Sequence, residues 1–373
     1  MLFRSIASAQ AIRIHSFIKE LKKDYELEVL CGEEKRKDSD RLKEVRYYTL
    51  QRPQEKEPLK FIQYFIKFNR KILSITKKRK YDLVIITIPR YEFLYAINRL
   101  EAPYILDIRD LLTTKNYELI LQRFLPKTLA RAIANMFEKK KKKSIKKAIR
   151  RSKMTTVAYP GLYNYYTKTI PKQKQKIIFI PNGVDLEYFP KKEKKFNTEK
   201  IQILYIGNFH EKDLLKEMIQ ALAPIKEKIE LTLVGTGREK EHIGRILKEK
   251  GMIAKIPGKL HHEEIAKIGE TADIGIILRD KTLPTLLPVS LVEYMAMQLP
   301  VIVNNYSELG DFVQQTQAGY IIEDPSELQA LLENINRKEF PKIGKRNREW
   351  IEKFGDRNKI AKDFKENIVS KSI

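Results

Sequence analysis

Short β-rich apolar runs alternate along this chain with stretches of helical periodicity, and that alternation restricts the fold more than any other feature. A run of about four to eight apolar residues bounded by turn residues suits a parallel strand buried on both faces. DLVIITI (82–88) and YILDI (104–108) have that form, and LEVL (27–30), TTVAY (155–159) and KIIFIP (176–181) extend the series. Ile14, Phe17, Ile18 and Leu21 stand at i, i+3, i+4 and i+7, one face of a first helix; further helices are expected near 59–77 and over 128–151. After the charged, apolar-poor stretch FPKKEKKFNTEK (189–200) the alternation restarts. ILYIG (203–207), ELTLVG (230–235), AKIP (254–257), IGIIL (274–278), PVIVN (300–304) and AGYII (318–322) read as strands separated by helices. This order builds parallel sheets covered by helices, and 373 residues suffice for two such blocks, each with its own core. The expected class is α/β, with ligands beyond the strand C-termini and a cleft shared by the two blocks. The opening residues MLFRSIASAQ hold no run of strand length, so the first block is expected to lack its first strand, with the natural start upstream of Met1.

Composition narrows the chemistry. No apolar run reaches the roughly 18–20 residues of a spanning helix, and no secretory h-region opens the chain. A single cysteine, Cys31, leaves no internal disulfide, and neither HExxH nor CxxC is present, so no metal site is expected. A soluble, cytoplasmic protein follows as the expectation. The net charge of +25 and pI near 9.7 suit an anionic partner, whether nucleic acid, an anionic membrane or a phosphorylated substrate. They equally suit a Lys-rich proteome with charged surfaces. The charge is concentrated in Lys139, Lys140, Lys141, Lys142, Lys143, Lys146, Lys147, Arg150 and Arg151. Leu129, Ile133, Met136, Phe137, Ile145 and Ile149 are expected on one side of the same helix. An apolar stripe edged by cations can lie on an anionic membrane; it can also be a core helix with a solvated outer face. Tyr159, Tyr163, Tyr165 and Tyr166 follow the basic run, a mixture able to stack on single strands, yet no nucleic-acid motif accompanies it. No nucleic-acid partner is expected.

IPNGVDLEYFP (180–190), taken with the C-terminal block, resembles the retaining glycosyltransferases of family 4, which have the GT-B architecture. YIGNF (205–209) looks like the family's glycine-ended strand and phosphate loop, and LVGTGRE (233–239) like its second G-x-G turn. IPGKLHHEEI (256–265) resembles its turn into a helix, and PVSLVEYMAMQLPVIV (288–303) its donor-binding block. YDLVIITIPR (81–90) and YILDIRDLL (104–112) resemble the subgroup acting on N-acetylated amino sugars in surface-polysaccharide assembly. The resemblance implies two Rossmann-like doubly wound domains facing a central cleft. Residues 1–188 would bind acceptor, 189–350 the nucleotide-sugar, and a helix within 351–373 would return to the first domain. The implied reaction moves a sugar, with retention, from a nucleotide donor (UDP-linked by this reading) to a glycan or lipid-linked acceptor. The nucleotide-sugar is a substrate and no cofactor is implied. Transfer would be metal-independent, with helix dipoles and cations stabilising the leaving diphosphate. The expected location is cytoplasmic, peripheral on the inner face of the cell membrane.

Individual residues carry these roles. A carboxylate at Glu293 can accept two charge-assisted hydrogen bonds from ribose hydroxyls; in isolation it also reads as a helix-start Glu favoured by the macrodipole. Gly207, Gly235 and Gly237 end strands and permit close approach of a diphosphate, or are ordinary turn glycines. The resemblance adds Asn208, Lys212, Lys259, Arg279, Thr285, Leu287 and Ser290 to the donor site. Arg109 and Asp110, just past the 104–108 strand, are the catalytic candidates, placed to face the cleft and handle acceptor or donor groups; their alternative is a salt-bridged loop pair. Departures are visible. Thr285 stands eight positions before Glu293, where the family often has Glu, and Asn208 where it has Arg. Arg279-Asp280 and Pro288 fit the subgroup, but Val289 and Ser290 replace its Ser and Lys. Lys212 is the phosphate candidate, with the register against Asp213 open by one. Such losses keep a second reading in play, a catalytically silent GT-B subunit that binds a partner glycosyltransferase. His261 and His262 read as a helix cap exposed to solvent.

Overall fold

The computed structural model describes residues 2–3, 9–33, 42–51, 58–88, 94–109, 122, 125–191, 199–210, 213–280 and 287–373. They form two compact units, Met1–Asn182 with Asn358–Ile373, and Gly183–Arg357. The sequence pattern alone puts these boundaries at 188/189 and 350/351.

The first unit holds a parallel sheet in the order β3-β2-β1-β4-β5-β6-β7. Its strands are β1 (Leu2–Phe3), β2 (Glu28–Glu33), β3 (Arg46–Gln51), β4 (Val84–Ile88), β5 (Tyr104–Ile108), β6 (Met154–Val157) and β7 (Ile177–Phe179). The expectation of a missing first strand is corrected here. Leu2 pairs with Leu30 of β2 and Ile86 of β4, and Phe3 with Cys31, so a two-residue strand occupies the central slot. Two residues leave no run to recognise. Strand β3 was also missed, because an edge strand alternating between exposed and half-buried residues carries no continuous apolar stretch.

Helix α1 (Ala9–Leu21) buries Ile14, Phe17, Ile18 and Leu21, the face its spacing predicts. Phe17 stacks on Phe364 at 4.3 Å, which seats the chain's last segment on this unit. Helices α2 (Pro58–Lys78) and α3 (Leu94–Ile97) precede α4 (Lys127–Arg151), and α5 (Pro160–Thr169) follows β6. The apolar residues of α4 divide between two faces. Ile145 and Ile149 are buried with Ala130, Ala134 and Ala148, whereas Leu129 is 48% and Met136 46% exposed. Two cations assigned to a membrane are held by partners within the unit instead. Lys141 is buried against Glu138 at 2.5 Å, and burial lowers its pKa although Glu138 opposes. Arg151 donates to the carbonyls of Asn98 and Leu100. Among the described residues, no helix is long and apolar enough to cross a membrane.

The second unit has a parallel sheet in the order β10-β9-β8-β11-β12-β13. These are β8 (Ile201–Asn208), β9 (Ile229–Thr236), β10 (Ala254–Gly258), β11 (Ile274–Ile277), β12 (Val301–Asn304) and β13 (Gly319–Ile322). Between them run α6 (Leu215–Leu222), α7 (Lys240–Glu249), α8 (His262–Thr271), α9 (Val289–Ala296) and α10 (Ser307–Thr316). Then come α11 (Leu328–Asn334) and α12 (Phe340–Trp350); α13 (Arg357–Asp363) and the π-helical segment it runs into, Phe364–Val369, belong to the first unit from Asn358 onward. Apolar clusters cover both faces of the sheet. After β8 the chain first builds one side and then crosses to the other, so strand order reverses between β8 and β11. In open α/β sheets, the crevice past the C-termini of two such strands is where ligands bind.

Candidate functional site

Helix α9 is pinned over this reversal by Tyr294. Its ring lies on Gly275 of β11, where an added Cβ would stand 2.6 Å from the ring, and the Ile206 N–H of β8 donates to its hydroxyl at 2.6 Å. Gly275 is therefore the residue that lets α9 sit down on the sheet. Burial holds the Tyr294 phenol well above its ordinary pKa, so it serves as a neutral anchor. The anchor fixes its neighbour Glu293, which is 4% exposed. Glu293 is the fifth residue of α9, beyond the first turn, so the macrodipole gives no sufficient reason for a carboxylate there.

Glu293 has company that the sequence reading did not assign. His261 does cap α8, its N–H donating to Glu264 at 2.9 Å. His262 instead turns inward, stacks on Tyr188 at 5.6 Å and brings Nδ1 within 3.2 Å of Glu293 Oε1, without hydrogen-bond alignment. Arg357 is buried and donates through Nη2 to the Gly183 carbonyl at 2.9 Å. Burial lowers its pKa, and the charges of Asp185 and Glu293 oppose the shift. The sequence signal for these partners is the IPNGVDLEYFP segment (180–190), which carries Gly183, Asp185 and Tyr188.

At the end of β11, Arg279 is clamped by Asn304 of β12. Its N–H donates to Oδ1 at 2.9 Å and its carbonyl accepts from Nδ2 at 2.8 Å. The guanidinium pairs with Asp213, which follows β8. The Tyr205 hydroxyl donates to the Asn208 carbonyl at 2.9 Å, closing the start of that loop. The glycines serve this loop as chain-packing positions. Gly235 has φ +145, and a Cβ there would lie 1.8 Å from the Gly207 carbonyl oxygen; one at Gly237 would lie 2.1 Å from that of Phe209. Close approach is required, but by neighbouring backbone.

Asn208, Gly237 and Lys259 are exposed, Gly207, Gly235, Arg279 and Leu287 half-buried, and Ser290 buried in the first turn of α9. Lys212, Thr285 and Asp110 lie outside the described residues. Arg109 is buried in the first unit with Nε donating to Asp107 at 2.8 Å. Asp107 also accepts from Thr156 at 2.7 Å, Thr87 at 3.2 Å and Arg13 at 3.4 Å. Burial pushes that carboxyl up, but Arg109 and Arg13 beside it, with Thr156, hold it below its ordinary value. Such a network ties strand ends together. Among the described residues, no cluster of His, Cys, Asp and Glu could hold a metal.

The nearby charges of Glu293 and Arg279 act on the Tyr294 phenol in opposite directions, Glu293 raising its pKa and Arg279 lowering it. Residues 189–353 match the family described as glycosyl transferases group 1. The matched stretch lies within the second unit. In sequence, 219 residues are 20% identical to WcaL of Escherichia coli K12, a candidate colanic acid biosynthesis glycosyltransferase; the match takes in 54% of this chain and 50% of the relative. The chain thus spans about half the length of that curated relative. In structure it is similar to sucrose-phosphate synthase of Thermosynechococcus elongatus, with a TM-score of 0.73 at 15% identity over 99% of this chain and 95% of the other. It is also similar to Anabaena HepE, solved with UDP and glucose, with a TM-score of 0.71 at 13% identity over 99% of both chains. The WaaG glycosyltransferase involved in lipopolysaccharide biosynthesis gives 0.66 at 10% identity over 97% of both. At these identities the likenesses speak to fold, which is GT-B: α/β, with two Rossmann-like units. Glu293, Arg279, Tyr294, His262 and Arg357 all belong to the second of them.

Proposed function

We propose that this protein is a retaining glycosyltransferase of family 4 that moves a sugar from a UDP-linked donor to a glycan or lipid-linked acceptor. The observation that carries the reading is Glu293, a carboxylate buried beyond the first turn of α9 and pinned beside the reversal of strand order. Such a group accepts two ribose hydroxyls, while Arg279 supplies positive charge for the diphosphate. Anabaena HepE, similar in fold, is solved with UDP and with UDP-glucose, which supports the donor class. The N-terminal motifs support an N-acetylated amino sugar as the group transferred, and the first unit as the acceptor side. Transfer is read as metal-independent, so a chelator is expected to leave turnover unchanged. The outward face of α4, where Leu129 and Met136 stand with exposed lysines, fits peripheral attachment to anionic lipid, where a lipid-linked acceptor resides.

Calorimetry with UDP and GDP tests the donor site. Glu293→Gln keeps the shape and removes the charge, so hydrogen bonds worth about 1.5–3 kcal/mol weaken and affinity falls roughly ten- to a hundredfold. Glu249→Gln, at an exposed residue of α7, is the matched control and should bind as wild type does. Equal affinity in wild type and Glu293→Gln removes the assignment. Mass spectrometry of products from a donor screen with membrane lipid extract identifies sugar and acceptor.

A further inference from the structure

The Asp213–Arg279 ion pair occupies the crevice where a donor's phosphates would have to sit. Arg279 follows β11 and Asp213 follows β8, the two strands between which the sheet order reverses. Asn304 grips the Arg279 main chain from both sides, so the guanidinium can move only through its own side-chain torsions. Asp213 is 6% exposed. A buried carboxylate is costly even when paired, and a diphosphate offers a guanidinium more charge and more acceptor oxygens than one carboxylate does.

We propose that Asp213 is a resident counter-ion for Arg279, surrendered to the diphosphate when donor binds and reclaimed when the nucleoside diphosphate leaves. The inference rests on the nucleotide-sugar reading of this site. Asp213 thereby weakens the hold on every diphosphate ligand, product included, and opposes retention of the spent nucleotide. The groups facing its carboxylate among the described residues are Arg279 from the end of β11, His210 from its own loop and Tyr205 from β8. Burial pushes the carboxyl up, and Arg279 and His210 offset only part of that. When Arg279 turns to the diphosphate, the carboxylate left behind takes a proton from solvent.

Binding of UDP, GDP, uridine and guanosine to the full chain tests this. Asp213→Asn is expected to bind the preferred diphosphate at least tenfold tighter than wild type, with the matching nucleoside unchanged. The gain should vanish in Asp213→Asn/Arg279→Gln, because it needs the freed guanidinium. Titrations in buffers of different ionisation enthalpy should show greater proton uptake in wild type than in Asp213→Asn. Asp213→Ser serves if the Asn variant does not fold. Wild type that binds a diphosphate no more weakly than either variant overturns the inference and leaves the donor site standing. Folded wild type and variants that bind neither diphosphate overturn both.

Discussion

Asp107 shows how much a single residue can gather that a local pattern does not reveal. It is buried and collects Arg13, Thr87, Arg109 and Thr156 from α1, β4, the end of β5 and β6. Those partners are 94, 20, 2 and 49 residues away, and only the nearest is visible in a local pattern. The same limit applies to Tyr294 on Gly275 and His262 beside Glu293, since spacing along the chain does not encode contacts made across a sheet. Glu293 itself was legible because its block is a contiguous motif. Asp107→Asn removes one member of a buried ion pair and is expected to destabilise the first unit by about 3–5 kcal/mol. Folding holds this carboxyl below its ordinary value of 3.8, so the ionised group favours the native state above that pH. Its contribution is lost as pH falls through the lowered native value. Urea midpoints between pH 6 and 3 should therefore drop more steeply with acid in wild type than in Asp107→Asn. Parallel curves would mean that Asp107 titrates alike in both states.

Among elements, the strands buried on both faces were the most legible. YILDI (104–108) coincides with β5, every residue of which is buried; a strand covered on both sides is largely apolar, and its one charge, Asp107, is paired with Arg13 and Arg109. Edge strand β3 and two-residue β1 escaped for the opposite reason. Helix α4 was recognised as a helix, but its apolar positions proved to serve two faces. Leu129, Met136, Lys140, Lys143 and Lys147 recur at spacings of seven, four, three and four, one exposed stripe of a helix. If α4 docks on anionic lipid, Lys140→Gln/Lys143→Gln/Lys147→Gln should weaken vesicle binding more than tenfold, at about 1 kcal/mol per cation. The loss should shrink as salt rises. A charge-matched triple in the second unit, Lys240→Gln/Lys248→Gln/Lys338→Gln, should sediment with phosphatidylserine vesicles as wild type does. If both triples behave alike, net charge rather than α4 governs attachment.

For the whole molecule, the decisive fact is that the chain leaves the first unit at Asn182 and re-enters it at Asn358. On the second unit's side the two crossings are tied. Val184 N–H donates to Gly355 at 2.8 Å, and Arg357 N–H donates to Val184 at 3.0 Å. On the first unit's side, Phe364, Ile368 and Val369 join Phe17, Leu21 and Ile105 in one apolar cluster, and Lys365 bridges Glu20 and Asp24. The last residues are thus part of the first unit's core. Losing the cover of each large side chain costs about 1.5–3 kcal/mol, and three such losses approach the roughly 5–15 kcal/mol that holds a domain together. Deletion of Asn358–Ile373 should accordingly abolish or sharply lower the first unit's thermal transition. The second unit keeps both of its apolar clusters and the Glu293 site, so its transition should persist and still rise with added UDP or GDP. Phe364→Ala, expected to cost about 3–5 kcal/mol, gives the same pattern in milder form if the deletion aggregates. Differential scanning calorimetry with and without nucleotide separates the two transitions. A deletion that lowers both equally would show that the units melt as one cooperative block, and that the end of the chain stabilises more than the core it packs into.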